Sequence, residues 1–387
     1  MQIVVIGSGP SGCLVSRLLA LGGHETTLID AQGPWEKPCG GGLTTRALEL
    51  TGSLKDQLPL QLIDRISVYF GDEASATLRP TATLAVVSRK QLGIKLLKEA
   101  EGTGVHFLKE RVMRLTRKNS RWMIQTRESA LEADFVVGAD GATSFVRRSV
   151  ASPISRTDLS VTLGYFIPGE TSSHMKIFFL RSLEGYLWSF PRPDHLSYGL
   201  ITRAEPGWTS RGKALLSNFI EADLGSDVMQ RAEFYSAPVP CLDPRSWARN
   251  TVAGDGWALI GDAAGLVDPI TGEGIYYAFR SARILADTLP DSSRYSQALK
   301  ADCFGELERA SRMYRRFYRG RFLGVNFRKR MVQLARRSPT LQAVLADLIA
   351  GSQPYVDLKK RLAWSGPRVA FDVVRSGVGR GVRTTGH

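Results

Sequence analysis

Cysteine and histidine are scarce in this chain. Its four cysteines, Cys13, Cys39, Cys241 and Cys303, are scattered without a CxxC pair, which argues against a disulfide framework. The five histidines, at 24, 106, 174, 195 and 387, show no ligand spacing, so no metal is expected. No run of eighteen apolar residues occurs, so no membrane span is expected. A first strand that begins at Gln2 leaves no expected targeting segment, and the cytoplasm is the expected location, peripheral to a membrane at most. Internal repeats and low-complexity linkers are absent too. Acid is short: 37 Asp and Glu against 51 Lys and Arg leave a net charge of +14. Eleven of those cations and no acid fall between 309 and 337, interleaved with Met313, Tyr314, Phe317, Tyr318, Phe322, Leu323, Phe327, Met331 and Leu334. That stretch reads either as an amphipathic surface for anionic lipid headgroups or as a solvated basic face. Nucleic acid is not expected, because no binding module accompanies the charge.

What is present begins at the N-terminus. An apolar run, Ile3–Ile6, leads into Gly7-x-Gly9-x-x-Gly12, and Leu14, Leu18, Leu19 and Leu21 follow at helical spacing. Strand, glycine turn and helix are the context that gives this fingerprint meaning. Gly7 permits the turn, Gly9 lets backbone approach a pyrophosphate, and Gly12 lets helix pack on strand. The helix N-terminus, entered through Pro10 and Ser11, offers N–H groups and a partial positive charge to phosphate. A second strand, 25–29, ends at Asp30, a carboxylate suited to a ribose diol. Together these features predict an ADP-containing dinucleotide, without choosing between FAD and NAD.

Further along, 31–44 is a Gly- and Pro-rich loop with Gly40-Gly41-Gly42, read as backbone passing close to something flat. Short strands are expected at 65–70, 76–78 and 84–87, a helix opening at Ser88-Arg89, and strands at 105–108, 111–117, 122–126 and 131–137. The last of these ends in Gly138-Ala139-Asp140-Gly141, a second turn suited to phosphate. Residues 160–240 read as an antiparallel sheet with one helix near 209–223, inserted between pieces of an α/β fold. In it Tyr186, Trp188 and Phe190 share one strand face, as a core row or as the wall of a long apolar pocket. The α/β pattern resumes at 257–260, followed by Gly261-Asp262-Ala263-Ala264-Gly265 and by Pro269-Ile270-Thr271-Gly272-Glu273-Gly274-Ile275, which opens a helix. The rest is helical, with a short, basic and loose end.

The N-terminal turn, the Asp140 turn and the Gly261-Asp262 strand end occur in an order similar to that of flavoprotein hydroxylase-fold enzymes, which bind extended FAD. Lys37-Pro38-Cys39-Gly40-Gly41-Gly42-Leu43, Tyr186-x-Trp188-x-Phe190-Pro191 and Gly261-Asp262 through Gly274-Ile275 narrow this. Together they resemble the geranylgeranyl reductase family over residues 1–290. One departure is Leu183, where the family's aromatic motif commonly has proline. The resemblance implies an α/β fold: a Rossmann-like FAD-binding domain of p-hydroxybenzoate hydroxylase type, an inserted antiparallel substrate domain and a helical C-terminal region. The expected boundaries are 1–64, 88–158 and 241–290 for FAD, 65–87 and 159–240 for substrate, and 291–387 for the basic helical region.

By the same resemblance FAD is held by Gly7, Gly9, Pro10, Ser11, Gly12, Asp30, Cys39, Gly40, Gly41, Arg89, Val112, Asp140, Gly261, Asp262, Gly272, Gly274 and Ile275. The last three would present N–H groups to the flavin ring, where reduction places negative charge. Asp140 reads equally as a structural turn residue. The implied reaction saturates C=C bonds of a polyprenyl chain, with NAD(P)H or ferredoxin as electron donor. Cys39, Tyr186 and Trp188 are the expected catalytic residues, and Tyr186, Trp188 and Phe190 the expected prenyl pocket. A small buried residue is the alternative reading of Cys39. Two rivals are a monooxygenase or halogenase of the same fold and a non-catalytic flavin-binding protein that docks on membranes. Against the first stand Gly272-Glu273-Gly274 in place of a Gly-Gln-Gly turn and the missing Trp-x-Trp-x-Ile-Pro signature.

Overall fold

The computed structural model describes residues 1–205 and 207–378. Gln2–Ile6 lies inside a six-stranded sheet, ordered Ala253–Gly254, Trp257–Leu259, Phe135–Gly138, Gln2–Ile6, Glu25–Ile29 and His106–Leu108. Both neighbours run parallel to it, with Val5 opposite Val137 on one side and Leu28 on the other. Ile3, Val4, Val5 and Ile6 are all buried, so both faces of the strand are covered. That is why the run shows no polar alternation. Helices Pro10–Leu21, Arg89–Glu101 and Ile275–Thr288 and a three-stranded meander, Val112–Lys118, Arg121–Thr126 and Ala130–Ala133, share this core.

One expected strand, 131–137, is two. Ala130–Ala133 closes the meander, and Phe135–Gly138 joins the parallel sheet. The change of sheet falls at Asp134, whose N–H donates to the Gln2 carbonyl and whose carboxylate accepts the Gln2 N–H, each at 2.8 Å. The apolar pattern continues through the change, so nothing in the sequence marks it.

A seven-stranded sheet is ordered Glu233–Pro240, Leu159–Pro168, His195–Arg203, Gly185–Pro191, His174–Phe179, Arg65–Phe70 and Ala74–Leu78. All its pairings are antiparallel except that of Arg65–Phe70 with His174–Phe179, segments far apart in the chain. Period-two alternation sorts its side chains. Leu163, Leu187 and Leu200 pack with Leu216 and Ile220 of the helix Trp208–Leu224. Tyr186, Trp188 and Phe190 take the opposite face, with consecutive ring centroids 5.9 Å apart.

Helices Gly305–Arg319, Phe327–Ala335 and Pro339–Ile349 pack against one end of this sheet, around Ile66, Phe70, Met175 and Phe179. Here the structure bears on the two readings of 309–337 and corrects one expectation about the chain's end. Most apolar residues of 309–337 face inward: Tyr314 and Tyr318 are buried, and Met313, Phe317 and Met331 pack against the same core. Only Phe322 and Leu323, at a short hairpin, are strongly exposed among them. The apolar stripe is therefore covered by protein, and the outward face is cationic. The end expected to be loose includes a 24-residue helix, Tyr355–Val378; the remainder, 379–387, lies outside the described residues. Among the described residues no helix is long and apolar enough to cross a membrane.

Arg328 ties this layer to the sheet. It is fully buried, its Nη1 donates to the Leu183 carbonyl at 2.7 Å, and its guanidinium lies 5.4–5.9 Å from the rings of Phe70, Phe179 and Tyr318. Leu183, the departure from the family motif, is itself a buried core residue. Arg328→Ala leaves that carbonyl unpaired and opens a cavity, at a cost of about 3 kcal/mol. The expected outcome is a thermal midpoint, followed by near-UV circular dichroism, several degrees below wild type, with Arg328→Met losing less because it keeps the stem.

Candidate active site

The N-terminal glycine turn is shaped first by the chain's own crowding. Gly7 has φ +106°, and a Cβ there would lie 2.4 Å from the Ala139 carbonyl oxygen; one on Gly12 would lie 1.8 Å from the Gly7 oxygen. Neither position admits a side chain. Gly9 caps the following helix in extended conformation without a side-chain cap, and Pro10 supplies the first turn. The helix start is therefore open to an anion.

Around that start stands a group of polar side chains that the chain leaves unsatisfied. The Lys37 ammonium is 3.4 Å from where a Gly9 Cβ would sit, and it makes no hydrogen bond or ion pair among the described residues. Burial, then the neighbouring Arg89, hold it below its usual range, against Asp30 and Asp262. The Nε of Arg89 and the Oγ of Ser8 are buried without partners. The Asp262 carboxylate also accepts no hydrogen bond among the described residues. Burial raises its carboxyl, opposed by Arg89 and Lys37. Buried polar groups without partners are uncommon, and a cluster of them calls for a ligand. Two cations over a helix N-terminus match a pyrophosphate.

Other expected cofactor residues divide. Asp30 accepts Ser8 N–H at 2.7 Å, Gln32 N–H at 2.8 Å and Gly33 N–H at 3.0 Å. Burial pushes its carboxyl up, but those bonds and Lys37 hold it below the usual range. A carboxylate has about four acceptor positions, so about one is left for a ribose. Asp140 bonds only within its own turn, accepting Ser144 Oγ–H and the N–H groups of Phe145 (2.6 Å) and Val146 (3.0 Å). These are the bonds of a turn and helix-start residue. Gly272 corrects an expectation: its N–H donates to the Asp268 carbonyl at 2.8 Å and is not free for a ring. Gly274 and Ile275 open the helix Ile275–Thr288, which has no side-chain cap. Gly261 lies beside Ser11, and a Cβ there would be 3.0 Å from its Oγ. Val112 packs, half-buried, at the edge of the parallel-sheet core.

The Cys39–Gly42 loop lies against the aromatic row. A Cβ on Gly40 would sit 2.4 Å from the Phe190 ring, and Gly41, at φ +83°, would meet the Val87 carbonyl at 2.4 Å. The loop is fastened by Arg192, a residue that no sequence motif marks. This fully buried guanidinium donates to the carbonyls of Cys39 and Gly40 and pairs with Glu36, and its Nη1 is 3.0 Å from His195 Nε2. Glu36 in turn accepts the Arg89 N–H at 2.8 Å. Ser197 Oγ–H also donates to the Cys39 carbonyl at 3.1 Å. Cys39 itself is half-buried, its sulfur accepting the Gly41 N–H at 3.3 Å, whereas the other three cysteines are buried. The only signal for Arg192 was its place directly after Phe190-Pro191 in an apolar strand.

An apolar cavity of about 370 Å³ begins at this loop and at the 271–275 turn. Tyr186, Trp188 and Phe190 line it from the sheet; Met313, Phe317, Met331, Leu345, Ile349 and Leu362 line it from the C-terminal helices. Its polar corner is Glu273, which accepts Thr44 Oγ–H and pairs with Arg46 at 3.1 Å. Burial raises the Glu273 carboxyl, with Arg46 opposing. Asp268 braces the turn, accepting the Ile270 N–H at 2.8 Å and the Tyr355 hydroxyl at 2.9 Å, and Tyr186 donates to the Thr271 carbonyl. The cavity thus joins the expected catalytic residues to helices that no motif identified.

Comparison with known proteins identifies the cofactor domain and the fold. Residues 1–167 match the family model of the FAD binding domain. A menaquinone reductase of Mycobacterium tuberculosis is 30% identical over 337 residues, 79% of this chain and 80% of its own. The chloroplastic geranylgeranyl diphosphate reductase of Arabidopsis thaliana is 27% identical over 353 residues, 82% of this chain and 72% of its own. Among solved structures, a geranylgeranyl bacteriochlorophyll reductase-like protein of Thermoplasma acidophilum superposes with a TM-score of 0.76 at 21% identity, covering 94% of this chain and 98% of that one. A flavin-dependent brominase shares the fold at a TM-score of 0.68 and 18% identity, covering 95% of this chain and 100% of its own.

Two outcomes test the site. Lys37→Met removes an unpaired, half-buried cation, so the apo-protein should melt higher while FAD, followed near 450 nm, is held at least about ten-fold more weakly. An aromatic disulfide reagent should titrate one thiol, Cys39, in the native protein, and Arg192→Ala should speed that reaction about ten-fold by releasing the loop.

Proposed function

The chain belongs to the geranylgeranyl reductase family of FAD-dependent oxidoreductases, and we propose that it saturates C=C bonds of a polyprenyl chain held in the apolar cavity. The observation that carries this reading is the cavity itself. It is long enough to involve two layers of the protein, and its lining contains no Lys, Arg or His among the described residues. A hydrocarbon chain suits such walls; a small polar aromatic would leave its own polar groups unpaired.

FAD suits the unsatisfied polar cluster at the glycine turn: Lys37, Arg89 and the helix start at Pro10 would hold its pyrophosphate, Asp30 its ribose, Asp262 its ribityl chain or pyrophosphate region, and the Gly274–Ile275 helix start its ring. Once reduced, by hydride from NAD(P)H or by two single electrons from ferredoxin with uptake of a proton, it would supply hydride to one alkene carbon. The chain's own residues then have three tasks. Tyr186, Trp188 and Phe190 orient the prenyl chain, with Tyr186 fixed by its bond to the Thr271 carbonyl. The C-terminal helices exclude water from the other side. Cys39, held at the cavity's inner end through its own carbonyl, keeps a thiol proton available for the second alkene carbon. An isolated alkene offers no carbonyl to polarise, so positioning and a placed acid must do most of the work.

The fold shared with a brominase makes oxygen dependence the deciding measurement. Enzyme reduced with dithionite and mixed anaerobically with a geranylgeranyl lipid should yield product heavier by two hydrogens per bond, with flavin reoxidised. A strict need for oxygen would instead identify a monooxygenase. In the same assay Cys39→Ala, with flavin still bound, should lower turnover about a hundred-fold; unchanged turnover removes the thiol from the mechanism.

A further inference from the structure

The strongest exposed apolar surface lies on the helix Tyr355–Val378. Trp364 is 87% exposed, Phe371 64% and Val374 66%. Their spacings of seven and three place them on one face of the helix. Lys359, Lys360, Arg368 and Arg375, all exposed, accompany that face. The opposite face packs inward: Leu358 is buried, and Val369 meets the C-terminal core. On the packed face, one turn after Leu358, Leu362 both lines the apolar cavity and is 41% exposed, so this helix forms one lip of the cavity's opening.

We propose that this outward face docks on an anionic phospholipid bilayer and sets the cavity mouth against the membrane. Aromatic and aliphatic side chains edged by cations are the composition of a helix lying in a membrane interface, and tryptophan is favoured at headgroup depth. Asp357 and Asp372 also lie on this helix, but cations outnumber them and the surrounding charge is net positive. Arg309 Nη1 donates to the Val356 carbonyl at 3.3 Å, joining the start of this helix to the Gly305–Arg319 helix, whose Arg312, Arg315 and Arg316 are exposed. A second copy of the chain is a poorer occupant. Two-fold pairing of this face, parallel or antiparallel, sets these cations against one another. The cavity supplies an independent reason for the location. Its walls carry no cation, so the polar head of a prenyl substrate must remain at the opening, where headgroups would lie. That last step rests on the prenyl reading; the docking face does not.

The test uses full-length, FAD-loaded protein and vesicles without any prenyl lipid, so docking and reductase activity are read separately. Wild-type protein should co-sediment with phosphatidylglycerol-rich vesicles and far less with pure phosphatidylcholine. Trp364→Ser/Phe371→Ser should lose at least about ten-fold in binding, and Arg368→Glu/Arg375→Glu a similar factor, each with flavin absorbance and thermal midpoint unchanged. Three results would overturn the proposal. One is wild-type protein that ignores anionic vesicles. Another is Trp364→Ser/Phe371→Ser protein that binds them normally, with loss only on charge reversal of Arg315, Arg316 and Arg319. The third is a concentration-dependent dimer, dissolved by the same double variant, which would assign the face to a second copy.

Discussion

The architecture turns on one buried cation. Arg192 sits at the end of the central aromatic strand, fully enclosed, and its bonds reach Glu36, the Cys39 and Gly40 carbonyls and His195. A guanidinium removed from water is tolerated only when its donors are met, and breaking such a set costs roughly 3–5 kcal/mol. That penalty is what holds the Cys39 loop at one distance from the seven-stranded sheet. Through Glu36 the same set reaches the Ser88 hydroxyl and the N–H groups at the start of Arg89–Glu101, the helix that carries Arg89 toward the nucleotide pocket. Cavity wall, loop and phosphate site are thereby fixed relative to one another. The Glu36 carboxyl is pushed up by burial and pulled below its ordinary value by Arg192, Ser88 and Arg89. Its contribution is therefore complete above the ordinary Glu range and lost as pH falls through the depressed value, so the connection persists at neutral pH.

Much of this was legible in the sequence, and the reasons are local. Gln2–Ile6, the glycine turn and the helix after it are encoded within 21 residues, where apolar run, φ-permissive glycine and helical periodicity agree. The Tyr186, Trp188 and Phe190 row was legible because strand period is two and three bulky side chains on one face must share an environment. Illegible were the contacts between distant segments. Arg192 meets Glu36 across 156 residues, and Arg46 meets Glu273 across 227. Nothing near either arginine says that it will be paired rather than solvated. Gly272 shows the opposite case: motif position suggested a free N–H, while the turn's own backbone already uses it, whereas Asp30 shares its carboxylate with its turn and keeps about one acceptor position.

The C-terminal helices show why charge patterning alone misleads. Apolar residues interleaved with arginines at helical spacing describe an amphipathic helix, and that much is correct for Gly305–Arg319. Periodicity cannot say whether the apolar side meets lipid or protein. Here it meets the edge of the sheet, because Ile66, Val68, Phe70, Met175 and Phe179 would otherwise be bare. Covering them also creates the cavity's second wall. Tyr355–Val378 then inherits the surface, packing on the inner helices with one side while its own aromatic side stays outside.

Two solvents in effect meet at the Cys39 loop. On one side, charged groups cluster at the strand ends and helix starts where α/β folds bind nucleotides, and Lys37 and the Arg89 Nε lack partners among the described residues. On the other, the cavity runs between aromatic and aliphatic walls with its single carboxylate already paired to Arg46. The proposed reaction, between a highly charged dinucleotide and an uncharged alkene, needs such a division, since either ligand would be poorly solvated in the other's half. Only a thin partition can let the reacting atoms meet. The triple glycine supplies it: a side chain at Gly40 would collide with Phe190, and one at Gly41 with the Val87 carbonyl, so the backbone itself forms the boundary. Arg192 keeps that thin boundary from moving. The buried guanidinium is thus less a stabiliser of the fold at large than the fixture that lets two incompatible environments share one wall.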